Sequence, residues 1–91
     1  MTQLEIAESA GDKWDAICES DRALAEVLDK VFGRIEAGTQ RYGQYENHAR
    51  LVRVRVHGRD EEWTVVWQMD DSSEESVAWV LALEKVSGGS A

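Results

Sequence analysis

Between Leu51 and Met69 the chain carries two runs of alternating side chains. Val52, Val54 and Val56 alternate with Arg53, Arg55 and His57, and Trp63, Val65, Trp67 and Met69 alternate with Thr64, Val66 and Gln68. A period of two is what a strand with one dry and one wet face produces, because successive side chains point to opposite sides. The runs predict a β-hairpin with a four-residue turn, Gly58 to Glu61, in which His57 faces Glu62, Val56 faces Trp63, Val54 faces Val65 and Val52 faces Trp67. A one-residue slip would drive the arginines into the core, so the parity of the pairing is strongly specified.

After the loop DDSSEES, Val77 to Leu83 predicts a third strand with Val77, Trp79, Leu81 and Leu83 on its dry side. Pairing Trp67 with Trp79 aligns Val65 with Leu81 and Trp63 with Leu83. The opposite face then holds Arg53, Arg55, His57, Glu62, Thr64, Val66, Gln68, Ala78, Val80, Ala82 and Glu84. Its small apolar residues, bordered by arginines, form a shallow groove, and an apolar patch with a polar rim often marks a partner site; the alternative is a mildly apolar solvent face on which strand propensity favours valine and Arg53 and Arg55 neutralise local acids. Arg53, Arg55, Val66, Gln68 and Val80 are the expected partner-binding residues.

The N-terminal half has a different rhythm. Leu4 and Ile6 alternate with polar residues and predict a short strand over Thr2 to Ala7. Ser9 or Asp12 can cap a helix that places Trp14, Ile17 and Cys18 on one face, with Cys18 as a small core residue. Ser20 and Asp21 read as a break or a new N-cap. Leu24, Leu28, Val31, Phe32 and Ile35 then recur every three to four residues and predict an amphipathic helix to about Ala37, with Gly38 as its C′ residue. One continuous helix from Lys13 is the alternative; two antiparallel helices are preferred because they cover a short sheet. Gly33 costs helix stability unless a close backbone contact requires it. Residues 38–49 lack apolar periodicity and read as a loop, whose Tyr42, Tyr45 and His48 either pack back on the domain or offer rings to a partner or to RNA.

Composition narrows the choices. Ninety-one residues with 43% hydrophobic content suit one domain, placed at 1–86, with SGGSA at 87–91 as a flexible tail. A net charge of −8 argues against nonspecific binding to nucleic acid or anionic membrane. Arg34 to Arg59 nevertheless forms a local basic stretch. The single cysteine precludes an intrachain disulfide and suits a reducing compartment. His48, His57 and Cys18 have no metal-ligand spacing. The opening is too polar for a signal peptide and no apolar run reaches membrane-spanning length, so a cytoplasmic protein is expected. No phosphate loop, nucleophile elbow or dinucleotide fingerprint is present, and neither cofactor nor metal is expected.

The order strand, two helices, three antiparallel strands, with ARLVRVRV at 49–56, WTVVW at 63–67 and VAWVLALEK at 77–85, resembles the RelE/ParE family of bacterial toxins from toxin–antitoxin pairs. The resemblance implies an α+β fold, with a short N-terminal strand and two antiparallel helices packed on a mostly antiparallel sheet (β-α-α-β-β-β). RelE-like nucleases are similar in using Arg and Lys to stabilise the phosphate in the transition state, with Tyr or His for proton transfer. By that resemblance, Arg53 or Arg55 corresponds to the arginine of the first central strand and Lys85 to the basic residue of the last; His57 is added from its position. Thr64 stands where the next strand's arginine is expected, and the acidic total opposes docking on a ribosome. Two functions follow: a ribosome-dependent mRNA interferase with a reduced or altered catalytic set (Arg53, Arg55, His57 and Lys85), or a noncatalytic protein-binding module of the same fold. A third is an acidic inhibitor that occupies a basic partner through Asp70, Asp71, Glu74 and Glu75. The expected partner is a cognate antitoxin or another protein, with RNA or the ribosome on the first reading.

Overall fold

The computed structural model describes residues 2–72 and 74–86; the tail expected at 87–91 lies outside them. Strand β1 (Gln3–Ile6) leads into helices α1 (Glu8–Ser20) and α2 (Arg22–Ala37), followed by β2 (Gly43–Gln44), a 3-10 turn at Glu46–His48, β3 (Arg50–Arg55), β4 (Glu62–Asp70) and β5 (Val77–Val86). The strands form one sheet in the order β1-β5-β4-β3-β2, antiparallel except for the parallel pair β1–β5. Both helices cover one face of it, α1 against β5 and α2 against β1 and β3.

The helical region is two helices, and the break is a single residue. Asp21 ends α1, its N–H donating to the Ile17 carbonyl, and starts α2 by accepting from the Leu24 N–H at 3.2 Å. α1 has no side-chain cap: Ala7 occupies its N-cap, ahead of both Ser9 and Asp12. Leu24, Leu28, Val31, Phe32 and Ile35 are all buried, and Phe32 meets Trp14 edge-on at 5.0 Å. Each such side chain contributes about 1.5–3 kcal/mol by leaving water, which outweighs intrinsic propensity in holding α2. Cys18 is exposed, contrary to its expected core position. It lies about 80° around the helix from buried Ala10, outside the stripe that Ala10 and Ile17 share.

Gly38 closes α2 at φ +76°, with the N–H groups of Gly38 and Thr39 donating to the carbonyls of Ile35 and Arg34. Gly33 has no comparable reason to be glycine, since a Cβ there would meet nothing within 4 Å. Gly33→Ala is therefore expected to raise stability by about 0.5–1 kcal/mol. Urea titration followed by circular dichroism measures it, and a destabilised variant would reveal a constraint that the backbone does not show.

The hairpin keeps the expected parity in a different register. Val52 pairs with Val65, Val54 with Trp63 and Arg55 with Glu62, two residues away from the predicted alignment. A shift of two leaves every side chain on its face. It lengthens the connection to residues 56–61, where the Arg59 N–H donates to the Val56 carbonyl and Gly58 takes φ +85°.

β5 departs further. Val65 pairs with Leu83 and Val66 with Ala82, but Trp67 pairs with Val80, so Leu81 is an extra residue forming a β-bulge. The bulge reverses the parity of the strand's first half. Ala78 and Val80 are fully buried against the helices, while Trp79 and Leu81, expected in the core, are 40% and 37% exposed. The expected loop at 38–49 also contributes a strand: Gly43 and Gln44 of β2 pair with Leu51 and Arg50 and make the sheet five-stranded.

Candidate functional site

The sheet face away from the helices carries most of the candidate chemistry. β3 supplies Arg53 and Arg55, β4 supplies Glu62, Thr64, Val66 and Gln68, and β5 supplies Trp79, Ala82 and Glu84. Arg53 stands beside Thr64, whose hydroxyl donates to the Glu84 carbonyl at 3.3 Å. Arg55 is ion-paired with its cross-strand neighbour Glu62 at 3.0 Å. Val66 is buried on this face and Gln68 is exposed beside it. Val80 is not part of the face: the bulge turns it to the helices, where it is fully buried, so the groove expected between Val66 and Val80 does not form.

The other two candidate bases lie elsewhere. Lys85 pairs in register with Trp63, on the helix side of the sheet, and its ammonium sits 3.1 Å from Glu61. His57 is exposed in the 56–61 connection, beyond the end of β3. Thus Arg53 and Arg55 share a face, Lys85 lies on the other, and His57 is exposed just beyond the end of β3.

Lys85 belongs to a different arrangement, a chain of ion pairs that ties the helix junction to the sheet. The Arg59 guanidinium holds Asp21 with two bonds, at 2.6 and 3.0 Å, and reaches Glu61 at 3.2 Å. Glu61 then takes Lys85. The hydrogen bond from Arg59 holds the Asp21 carboxyl below its ordinary value of 3.8, assisted by the Leu24 N–H and opposed by burial. Glu61 lies below its ordinary 4.5, chiefly through the hydrogen bond from Lys85. Carboxyls whose folded pKa is depressed contribute stability above their unfolded pKa and lose it as pH falls through the folded value. The melting temperature is therefore expected to fall on acidification below about pH 4.5. Asp21→Asn should flatten that acid limb while lowering stability at neutral pH, and an unchanged limb would mean other carboxylates set it. The cap function of Asp21 was legible in the sequence. Its bond to Arg59, 38 residues away, had no local signal.

The 38–49 segment packs back on the domain at one end and is open at the other. Tyr42 meets Trp67 edge-on at 5.9 Å, and the Arg50 guanidinium lies 4.2 Å over the Tyr42 ring. Tyr45 is half-exposed. Asn47 and His48 both have positive φ, 57° and 65°, a conformation that asparagine tolerates better than histidine. The turn is held by the Tyr45 N–H donating to the Ala49 carbonyl and by the Gln68 amide donating to the Asn47 carbonyl. It thereby walls a cavity of about 260 Å³ on the outer face, lined by Tyr45, Glu46, Val66, Leu81, Ala82 and Glu84.

In the acidic loop, Asp70 accepts from both the N–H and the hydroxyl of Ser72, which holds its carboxyl below 3.8, and Asp71 accepts from the Ser76 hydroxyl. Among the described residues no three His, Cys, Asp or Glu side chains group to hold a metal ion, and no helix is long and apolar enough to cross a membrane.

No family model matches the sequence, and no curated protein matches it. Among solved structures the chain is similar to a YoeB/ParE toxin from Agrobacterium tumefaciens, with a TM-score of 0.66 over 93% of this chain and 99% of that one, at 12% sequence identity. The chain thus has a RelE/ParE-like α+β fold, the one that toxin shares. At this identity the likeness speaks for the fold and leaves the chemistry to the residues themselves.

Proposed function

We propose that this chain is the toxin-like member of a toxin–antitoxin pair and acts by binding a protein, in the cytoplasm, without cleaving RNA. The observation that carries this reading is the state of the candidate bases. Arg55 and Lys85 are each paired with a glutamate, at 3.0 and 3.1 Å, and they lie on opposite faces of the sheet. A phosphate clamp needs unpaired cations converging on one point. The net charge of −8 adds a repulsive field toward any ribosomal RNA surface. The partner face on this reading comprises Arg53, Arg55, Val66 and Gln68, with Trp79 and Leu81 in place of Val80.

The mRNA interferase is retained as a second reading because Arg53 is exposed and has no ion-pair partner among the described residues. Arg53, Arg55 and His57 would then act from one end of the hairpin, with Lys85 released from Glu61. Expression in a bacterial host, alone and with the product of the neighbouring reading frame, separates the readings. Growth arrest that the neighbour relieves, with cellular mRNA intact, is the expected result. Ribosome-dependent mRNA cleavage abolished by Arg53→Ala would establish the nuclease instead. The absence of both arrest and a co-purifying neighbour would remove the toxin–antitoxin assignment.

A further inference from the structure

Among the described residues, the last six of β5 have a strand neighbour on one side only. β1 pairs with Val77 to Val80 and stops there, whereas β4 runs alongside β5 to Val86. No described strand pairs with the outer edge of Leu81 to Val86, which α1 flanks and on which Leu81 and Val86 are exposed. Cavities lie against both faces of this one segment. On the helix side, Leu81 to Glu84 and residues Ser9, Ala10 and Lys13 of α1 enclose about 210 Å³. On the outer face is the cavity of about 260 Å³, with Val66, Leu81 and Ala82 as its apolar floor, Tyr45 as its wall, and Glu46 and Glu84 among its lining residues.

A strand added to an open edge sends successive side chains alternately to the two faces. We propose that this edge takes up an extended basic segment of a partner protein, whose main chain pairs with Leu81 to Val86. One arginine or lysine of the segment enters the outer cavity, and a small side chain enters the inner one. The inference rests on the protein-binding reading above and assigns it a place and a partner chemistry.

The charge of the segment follows from what surrounds the edge. Glu46 and Glu84 have no ion-pair partner among the described residues. α1, which flanks the edge, adds Glu8, Asp12 and Asp15 against Lys13. A long cationic side chain can lay its methylenes on Val66 and Ala82 and bring its head to the two carboxylates and the Tyr45 ring. A second copy of this chain would set the same acids against each other across a two-fold axis, which opposes self-pairing. The hydrogen bonds at Tyr45 and Gln68 hold the outer wall in place, so little ordering is needed on binding.

The test uses the full chain and two synthetic peptides of about ten residues, one strand length or slightly more, alternating valine with arginine in one and valine with glutamate in the other. Calorimetry is expected to show the arginine peptide binding at least about tenfold more tightly than the glutamate peptide. Glu46→Lys/Glu84→Lys should reverse that order. Amide hydrogen exchange, read by NMR, should slow within residues 81–86 on binding. Equal affinity for both peptides, or protection elsewhere with none in 81–86, would overturn the proposal, as would a dimer of the chain alone that Leu81→Arg dissociates. The neighbour-encoded protein separates this inference from the reading beneath it. If it binds wild type and Glu46→Lys/Glu84→Lys equally well, the edge proposal fails and the protein-binding reading stands. If it does not bind but the arginine peptide protects 81–86, the edge proposal stands and the toxin–antitoxin reading fails.

Discussion

Trp67→Ala is expected to cost about 3–5 kcal/mol, the range for deleting a buried aromatic ring. Trp67 is 2% exposed and sits in the middle of the sheet. It pairs with Val80 on one side and Arg50 on the other, with Tyr42 edge-on to its ring. Truncation therefore opens a cavity under the helices and also removes the support on which Tyr42 and Arg50 stack. Because small domains have only about 5–15 kcal/mol in total, the variant should be partly unfolded near physiological temperature. Urea titration by circular dichroism gives the value. A change within about 0.5 kcal/mol, as at a surface site, would be incompatible with this core.

The second large effect lies at adjacent positions on β5. Val80→Asp is expected to prevent folding, since an unpaired carboxylate at a fully buried site must be desolvated or forced to take up a proton. Leu81→Asp, one residue on and 37% exposed, should fold with a loss of about 1 kcal/mol or less. A regular strand without the bulge would give the reverse order, because it would put Leu81 in the core and Val80 outside. Solubility and melting temperature of the two variants therefore decide the parity of β5 without a new structure. The same pair bears on the site, since Leu81 lines both cavities of the open edge and Val80 lines neither.

The candidate site was legible only in part. Arg53 and Arg55 read correctly as neighbours on one face because β3 alternates cleanly between valine and a charged residue. For Lys85 the alternation with Leu83 already gave the helix side of the sheet, on which it lies opposite Trp63, but its bond to Glu61 depends on a partner from another element. The outer cavity was also hidden, because its wall comes from a turn with two consecutive left-handed residues and its floor from two distant strands. Tyr45 was visible as an aromatic in a loop, but its half-exposed position follows from the turn whose Ala49 carbonyl accepts from the Tyr45 N–H, for which there was no periodicity to read.

By itself the sequence determined the α+β class, the buried stripe of α2, the Gly38 end of that helix, and which side chains of β3 and β4 face the core, while the tertiary structure decided between one helix and two at Asp21. In α2 and β3 the charged residues fall on one side at a single period, and in β4 the large side chains Trp63, Val65 and Trp67 recur every second residue, so one orientation buries the bulkiest apolar set. Tertiary structure decided the hairpin register, the β2 strand, the exposure of Cys18 and the orientation of β5. Val77 to Leu83 is apolar at every position, so hydrophobicity gives neither parity of that run an advantage. Packing against α1 and α2 selects Ala78 and Val80 for the interior, and the extra residue at Leu81 lets Leu83 rejoin them on the same face.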